Sequence, residues 1–424
     1  MVHITQPYYT HTLPNGLRLA LLPTRSKVVY CGFAIKSGSR NDPTQLPGLA
    51  HLVEHMLFKG TTHRRAWHIL NRMERVGGEL NAYTSKEDTF VYTTAPRREL
   101  VRSIELLGDL VRYSTYPQHE LDRERVVVAD EINLYKDTPS EQIFDDFEEL
   151  FFQDYPLAHP ILGSAESLVK MGSDDCRLYA EQAFVPSRMV FFCMGQVTEQ
   201  RFVELAERYL MEGFYPELHT TTSQEAVPPK TTAFTLRRDT KTHQAHALIG
   251  AVAPNLHDDR RKEMALLMNI LGGSSMNSQL NLLLRERRGW VYGVDASYTS
   301  LSDVGWWQIY FGSDPVHAER ALEVVRDELE RIRRDGLSQS LLRRWIKQSS
   351  GQLALSSEQS ESTFLNFGRQ ILHRDSYQTV HEAIAQLERM TPEQLMSVAE
   401  EVLVPERMSL LLYKGGAATG EDGE

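Results

Sequence analysis

Two histidines and a glutamate in the segment HLVEH are the residues of this 424-residue chain whose types and spacing best suit chemistry. They are His51, Glu54 and His55, and apolar residues recur around them at helical spacing, which predicts a helix over residues 49–75. On a helix the two imidazoles lie one turn apart on the same face and can bind one metal ion, with Glu54 beside them. Their order reverses H-E-x-x-H, a signature in which two histidines bind zinc and a glutamate activates water. The motif by itself does not exclude a chance match.

A catalytic zinc ion usually takes three protein ligands, so a third must come from elsewhere in the chain. The helix predicted over residues 119–136 offers Glu124 and Glu131, which lie nearly on one face because they are seven residues apart. We predict Glu131 as the third ligand. On residue type alone, a glutamate on an amphipathic helix is more often a solvated surface residue, and that alternative stays open at this point.

The composition is that of an ordinary globular protein, with 41% hydrophobic and 24% charged residues. It excludes a disordered chain, a collagen-like fibre and a disulfide-stapled mini-protein. The net charge of −11 disfavours nucleic acid and anionic membranes as partners. The first residues do not resemble a secretory signal, no apolar run is long enough to span a bilayer, and the three cysteines lack C-x-x-C spacing. We therefore expect a cytoplasmic protein.

The order of the predicted elements occurs twice along the chain. A strand, a helix, a pair of strands and a further helix are predicted over residues 17–113, and the same order returns over residues 246–336. An internal duplication of a unit of about 200 residues explains this order. The predicted organisation is an N-terminal domain at 1–218, a linker at 219–232, a C-terminal domain at 233–414 and a disordered tail at 415–424.

Four segments of the first half carry a resemblance to a known family: GLAHLVEHMLFKGT at 48–61, GGELNAYTSKEDTFVY at 77–92, ERVVVADEI at 124–132 and HPILGSAESL at 159–168. The family is that of the pitrilysin-like, or inverzincin, zinc metallopeptidases, and the chain is similar to its two-domain subunit type, as in the mitochondrial processing peptidase and its bacterial homologues. The family's third metal ligand is a glutamate about 76 residues past the second histidine, and Glu131 lies 76 residues past His55. Glu124 corresponds to a second acidic residue near the metal, which would orient a ligand.

The second half carries its own marker of the family, LGGSSMNSQLNLLLRERRGWVY at 271–292. In the family an arginine and a tyrosine seven residues apart in this segment reach bound substrate, and Arg285 and Tyr292 stand at that separation. A guanidinium and a phenol can donate to a peptide carbonyl or to the oxyanion that forms on it. On spacing alone, an ordinary surface arginine and a half-buried tyrosine are the commoner explanation. Asn81 and Ala82 correspond to the strand that pairs with an extended substrate through its main chain.

The resemblance implies an α+β fold of two homologous halves, each a mainly antiparallel sheet with helices packed on one face, arranged as a clamshell. It implies one zinc ion per chain, bound by His51, His55 and Glu131 in the first half, because the apolar segment MALLMN replaces the motif in the second half. The implied reaction is hydrolysis of a short or unfolded peptide in a closed chamber, with zinc activating water and Glu54 moving the proton.

The resemblance also implies a dimer, since larger members of the family contain four such halves. A homodimer is favoured because the metal motif and the Arg/Tyr pair occur in one chain. A first alternative is the catalytic subunit of a heterodimeric processing peptidase that acts on presequence-like peptides. A second alternative is a non-catalytic structural or peptide-holding subunit. Loss of part of the set His51, Glu54, His55 and Glu131 would mark that second alternative, and the set is intact here.

Overall fold

The computed structural model describes residues 8–217, 229 and 231–416. Its strands are β1 (Tyr9–Thr12), β2 (Arg18–Pro23), β3 (Val28–Ile35), β4 (Glu79–Thr84), β5 (Thr89–Pro96), β6 (Met189–Gly195), β7 (Thr235–Arg238), β8 (Ala245–Ala253), β9 (Val291–Ser300), β10 (Gly305–Ser313) and β11 (Ser409–Tyr413). Its α-helices are α1 (Leu49–Met56), α2 (Ala66–Glu74), α3 (Leu100–Tyr113), α4 (Gln118–Lys136), α5 (Pro139–Phe152), α6 (Ala165–Lys170), α7 (Ser173–Ala183), α8 (Glu199–Leu210), α9 (Arg261–Gly272), α10 (Ala318–Asp335), α11 (Gln339–Ser356), α12 (Ser360–Arg374), α13 (Val380–Glu388) and α14 (Pro392–Val402). None of the described helices is long and apolar enough to span a bilayer.

One predicted helix is in fact two. The continuous helix expected over residues 49–75 ends at Met56 and resumes at Ala66. Between them the buried carboxylate of Asp109 contacts three side chains of the connecting loop, those of Thr61, His63 and Arg64. These contacts hold the loop away from helical geometry. Hydrophobic periodicity does not detect the break, because apolar residues continue at helical spacing on both sides of it.

The internal contacts divide the chain into two compact units. The first unit comprises the described residues within Met1–Asn133, His159–Thr222 and Ala354–Val380, and the second comprises those within Leu134–Ala158, Ser223–Leu353 and His381–Glu424. This grouping departs from the predicted contiguous domains at 1–218 and 233–414, because α5 packs within the second unit and α12 within the first. Most of the predicted linker at 219–232, and the predicted tail from residue 417 onward, lie outside the described residues.

Each unit is built on one sheet, and the two sheets share a strand order. The order is β1-β2-β6-β3-β5-β4 in the first unit and β7-β11-β8-β10-β9 in the second. Strand β1 is an additional edge strand of the first sheet. In the shared order the first two strands are parallel, β2 with β6 and β7 with β11, and every later pair is antiparallel. The prediction of two mixed α and β halves with mainly antiparallel sheets is confirmed. The shared order is the structural counterpart of the repeat in the sequence.

Both faces of the first sheet are buried. Side chains alternate along β2, so that Leu19 and Leu21 enter the core formed with α1, α3, α7 and α8, whereas Ala20 and Leu22 point to the opposite face. Helix α12 covers that second face, with Phe364 among its buried side chains. The prediction placed helices on one face of the sheet only. It therefore missed α12, which comes from the second half of the sequence and covers the other face. This helix removes from water the apolar side chains that the second face presents.

The second unit repeats this arrangement. Ile249 of β8 enters the core formed with α9, α10 and α14, whereas Leu248 points to the opposite face. Helix α5 covers that face, and its Phe147 belongs to the same cluster as Leu248. The two halves thus each bury both faces of their sheet, while the clamshell arrangement of the halves stays a prediction.

Candidate metal centre

The start of α1 is held by a carboxylate and by close backbone packing. Asp42 accepts hydrogen bonds from the main-chain N–H groups of Gly48 (2.7 Å) and Ala50 (2.8 Å), donors that a helix N-terminus otherwise leaves free. Gly48 has φ +96°, and a Cβ there would lie 2.5 Å from a main-chain oxygen of the 159–168 segment. At Gly163 a Cβ would lie 2.0 Å from a main-chain oxygen preceding α1. The two segments therefore pack backbone against backbone, which requires glycine at both positions.

The structure brings His51, His55 and Glu131 together, the last on α4. Nε2 of each histidine lies 3.8 Å from Oε2 of Glu131, and the three ligand atoms lie within 4.8 Å of one another. Tetrahedral zinc, with bonds of about 2.0–2.2 Å, places its ligand atoms roughly 3.4 Å apart. Two imidazole nitrogens and a carboxylate oxygen are also a donor set found in catalytic zinc sites. The residues present therefore fit a zinc ion in both chemistry and spacing.

Glu124 fixes the orientation of one of these histidines. Its Oε1 lies 2.9 Å from Nδ1 of His55, which leaves Nε2 of that ring directed towards Glu131. Its Oε2 pairs with Nζ of Lys59 at 2.5 Å. Burial opposes the charged form, but the hydrogen bonds and charges of these two partners outweigh burial and lower the pKa of Glu124. His51 has no such support, because its Nδ1 has no hydrogen-bond partner in the part of the chain that the structure describes.

The two histidines differ in their electrostatic surroundings. Burial, together with the neighbouring His55, lowers the pKa of His51 to about 3, so its imidazole is neutral and keeps a lone pair for a metal. Burial acts in the same direction on His55, but the hydrogen bond to Glu124 and the nearby carboxylates outweigh it and raise the pKa of His55. A divalent cation at this position would offset the same excess of negative charge.

Glu54 lies on the same short helix as the two histidines but outside the group of ligand atoms. It is 8% exposed, and its Oε2 accepts a hydrogen bond from Oγ1 of Thr84 at 2.8 Å. Burial raises the pKa of Glu54, although the bond from Thr84 and the charge of His55 oppose that effect. A buried carboxylate with a raised pKa beside metal-binding side chains is suited to accept and return a proton.

The remaining predicted site residues divide between the two units. Asn81 and Ala82 lie on β4, the edge strand of the first sheet, where one side of the main chain has no strand partner among the described residues. In the second unit, Arg285 lies on the π-helical turn Asn281–Glu286, and Tyr292 lies near the start of β9. Tyr292 is 76% exposed, so its phenol is available to another molecule.

Three side chains that act on this site were not predicted, namely Asp42, Lys59 and Thr84. Asp42 and Lys59 lie outside the helix that carries the motif. Helix-capping rules cover the residue directly before a helix, so they do not identify Asp42, and no spacing rule identifies Lys59 beyond the end of the helix. Thr84 had a usable signal in the alternation of β4. Leu80 and Ala82 pack on the core that contains α1, so Thr84, two residues further on, points to the same side.

Comparisons with known proteins identify the family of this chain. Residues 19–165 match the insulinase family, Peptidase family M16, and residues 170–349 match the M16 inactive domain. The chain is 30% identical to the uncharacterized zinc protease YmxG of Bacillus subtilis, over 96% of this chain and 98% of that protein. It is 29% identical to the beta subunit of the mitochondrial-processing peptidase of Bos taurus, over 76% of this chain and 66% of that protein.

Solved structures show the same fold over nearly the whole chain. A protease from Helicobacter pylori matches with a TM-score of 0.89 and 20% identity, over 96% of this chain and 100% of that one. A peptidase M16 inactive domain from Pseudomonas fluorescens matches with a TM-score of 0.87 and 18% identity, over 96% of this chain and 98% of that one. The chain belongs to Peptidase family M16, the insulinase family, and the resemblance found in the sequence is confirmed.

Proposed function

We propose that the chain is a zinc-dependent endopeptidase that hydrolyses short or unfolded peptides. The observation that carries this proposal is the convergence of His51, His55 and Glu131, with the buried Glu54 on the same helix. Relatives that match most of the chain are named zinc proteases. Three protein ligands leave one position of tetrahedral zinc open, which is the arrangement of catalytic rather than structural zinc sites.

The side chains of the centre would have different roles in hydrolysis. His51, His55 and Glu131 would hold one zinc ion per chain. When bound, zinc supplies Lewis-acid chemistry, because it lowers the pKa of water and polarises a peptide carbonyl. Glu54 would accept a proton from the attacking water at Oε1, since Oε2 is engaged by Thr84, and would return the proton to the leaving amine.

The substrate in this proposal is an extended strand. The edge strand β4 offers the main-chain groups of Asn81 and Ala82, and an unfolded peptide can add to such an edge by backbone hydrogen bonds. Pairing of this kind depends on the peptide backbone more than on the side chains, so it favours unfolded peptides of varied sequence. Arg285 and Tyr292 would donate to the substrate carbonyl and to the oxyanion that replaces it.

The proposed assembly is a homodimer acting in the cytoplasm, without nucleic-acid or membrane partners. A heterodimer with a related chain is the alternative, because one relative is named as the beta subunit of a mitochondrial-processing peptidase. That alternative predicts activity on presequence-like peptides only when the partner chain is present. A non-catalytic peptide-holding subunit is a further alternative, and the intact set of four site residues weighs against it.

The test is cleavage of a quenched, unstructured peptide library by the purified chain alone, with and without a chelator. We expect chelator-sensitive turnover, one zinc ion per chain, and a loss of at least about 100-fold in Glu54→Gln with zinc content retained. Glu74→Gln, an exposed glutamate on the neighbouring helix α2, is the matched control and should behave as wild type. Absence of turnover by the zinc-loaded wild-type chain would overturn a self-sufficient peptidase and favour the two-chain or non-catalytic alternatives.

A further inference from the structure

A hydrogen bond joins the edge strand of the first unit to the helix that carries the motif. Thr84, the last residue of β4, donates through Oγ1 to Oε2 of Glu54 at 2.8 Å. No donor contacts Oε1 of Glu54 within the described ranges. One carboxylate oxygen is therefore fixed, and the other stays free to meet a water molecule.

The donor itself sits on a firmly anchored main chain. Ser85, the residue after Thr84, accepts at its carbonyl oxygen from the N–H of Ser39 at 3.0 Å. Lys86, the next residue, donates from Nζ to the carbonyl oxygen of His159 at 2.7 Å. A hydroxyl on a backbone fixed in this way can hold its acceptor in place before the reaction begins.

Glu54 needs such a restraint because of its neighbours. A glutamate side chain has several rotatable bonds, and a carboxylate beside a divalent cation can turn to ligate the cation. As a ligand it would no longer be free to take a proton from water. The bond from Thr84 engages one oxygen on the side of β4 and so opposes that rotation.

We propose that Thr84 is a positioning residue for the peptidase reaction. Its hydroxyl holds Oε2 of Glu54 so that Oε1 faces the attacking water. Because Thr84 also ends the strand that would pair with substrate, it fixes the proton acceptor relative to the peptide bond to be cleaved. This inference rests on the proposed peptidase function. It adds to that function a residue that connects β4, the strand proposed to pair with the substrate, to Glu54, the proposed proton acceptor.

The test compares three changes at Thr84 with a matched control. Thr84→Val and Thr84→Ala remove the hydroxyl, the first with the branched shape kept, while Thr84→Ser keeps the hydroxyl. Thr94→Val makes the same change on β5 opposite Glu79, at the far end of the hairpin. We expect kcat to fall roughly 10- to 100-fold in the Val and Ala variants, with KM and zinc affinity within about twofold of wild type. Thr84→Ser should restore most of kcat, and Thr94→Val should match wild type.

A second readout does not depend on turnover. In crystal structures of the zinc-loaded variants, we expect Glu54 to leave its position or to occupy several rotamers in Thr84→Val but not in Thr94→Val. A wild-type kcat in both Thr84→Val and Thr84→Ala, or an equal loss in Thr84→Ser, would overturn the positioning role. An unmoved Glu54 in Thr84→Val would overturn it as well. A wild-type chain without chelator-sensitive cleavage would instead overturn the proposed function, so the two failures are distinguishable.

Discussion

At the residue scale, the two histidines of the candidate centre are supported unequally. Nδ1 of His55 is hydrogen-bonded to Glu124, whose second oxygen pairs with Lys59. Nδ1 of His51 has no partner in the described part of the chain. Because a partner on the second ring nitrogen fixes the orientation of a metal-binding imidazole, the ring of His55 is held in place before any metal binds, whereas that of His51 is not.

Glu124→Gln should weaken zinc binding without removing a ligand. The amide keeps the size of the side chain but loses the charge that holds His55 and Lys59, so we expect zinc affinity to fall about 10- to 100-fold. Competition with a zinc-binding dye measures this affinity. Glu120→Gln, one turn earlier on α4, is the matched control and should leave affinity unchanged. Equal affinities in the two variants would show that Glu124 does not support the centre.

At the element scale, α12 is anchored to the turn of the hairpin formed by β4 and β5. Asp88, in the turn of that hairpin, lies 3.1 Å from Nε of Arg369 and 3.1 Å from Nε2 of His373, both on α12. Burial would raise the pKa of this carboxyl, but the hydrogen bond from His373 and the charge of Arg369 outweigh burial and lower the pKa of Asp88 to about 2. The same hairpin carries Thr84, so this anchor also steadies the proposed site.

This anchor predicts a pH dependence of stability. A carboxyl whose pKa is lower in the folded state than its unfolded value of about 3.9 stabilises the fold above that value and loses its contribution as pH falls towards 2. At pH 7 we therefore expect Asp88→Asn to lower the free energy of unfolding by about 2 kcal/mol, with the difference shrinking between about pH 4 and pH 2. Urea unfolding of both proteins across this range measures the difference.

The matched control for this anchor is Asp375→Asn at the C-terminal end of the same helix. Asp375 is exposed, and it pairs with Arg18 at the surface, so its replacement should change stability little at any pH. The difference in the free energy of unfolding between wild type and Asp88→Asn could instead stay constant from pH 7 to pH 2.5. That result would contradict a stabilising role of the charged carboxylate, because the effect would then not depend on its ionisation.

At the scale of the whole molecule, the residues proposed for one reaction lie in two units. The metal ligands and Glu54 belong to the first unit, whereas Arg285 and Tyr292 belong to the second. Zinc binding should therefore be unaffected by mutation of Arg285 or Tyr292.

Arg285→Ala and Tyr292→Phe should lower kcat/KM about 100-fold while zinc content stays at the wild-type value, because each removes one donor to substrate. Steady-state kinetics on a fluorogenic peptide and metal analysis measure the two quantities. Arg287→Ala, an exposed arginine two residues away, is the control and should leave both unchanged. Unchanged kcat/KM in both Arg285→Ala and Tyr292→Phe would contradict their role in binding substrate.

Local spacing by itself determined several features of this protein. Two histidines four residues apart share a helix face by the geometry of the helix, and α1 presents His51 and His55 side by side, with ring centroids 4.5 Å apart. The repeated order of strands and helices likewise predicted two halves, and the two sheets share one strand order. These predictions succeeded because each depends on residues that are neighbours in sequence.

Only the tertiary structure decided which distant residues meet. Packing places Glu131 beside the histidines, Glu124 against His55 and Thr84 against Glu54, and these partners lie 30 or more residues apart in sequence. It also places α5, from the first half of the sequence, in the second unit, and α12, from the second half, in the first unit, so that each sheet buries its second face. Hydrophobic periodicity tells which side of an element is buried, but not which element covers it, since any apolar surface of suitable shape removes the same area from water.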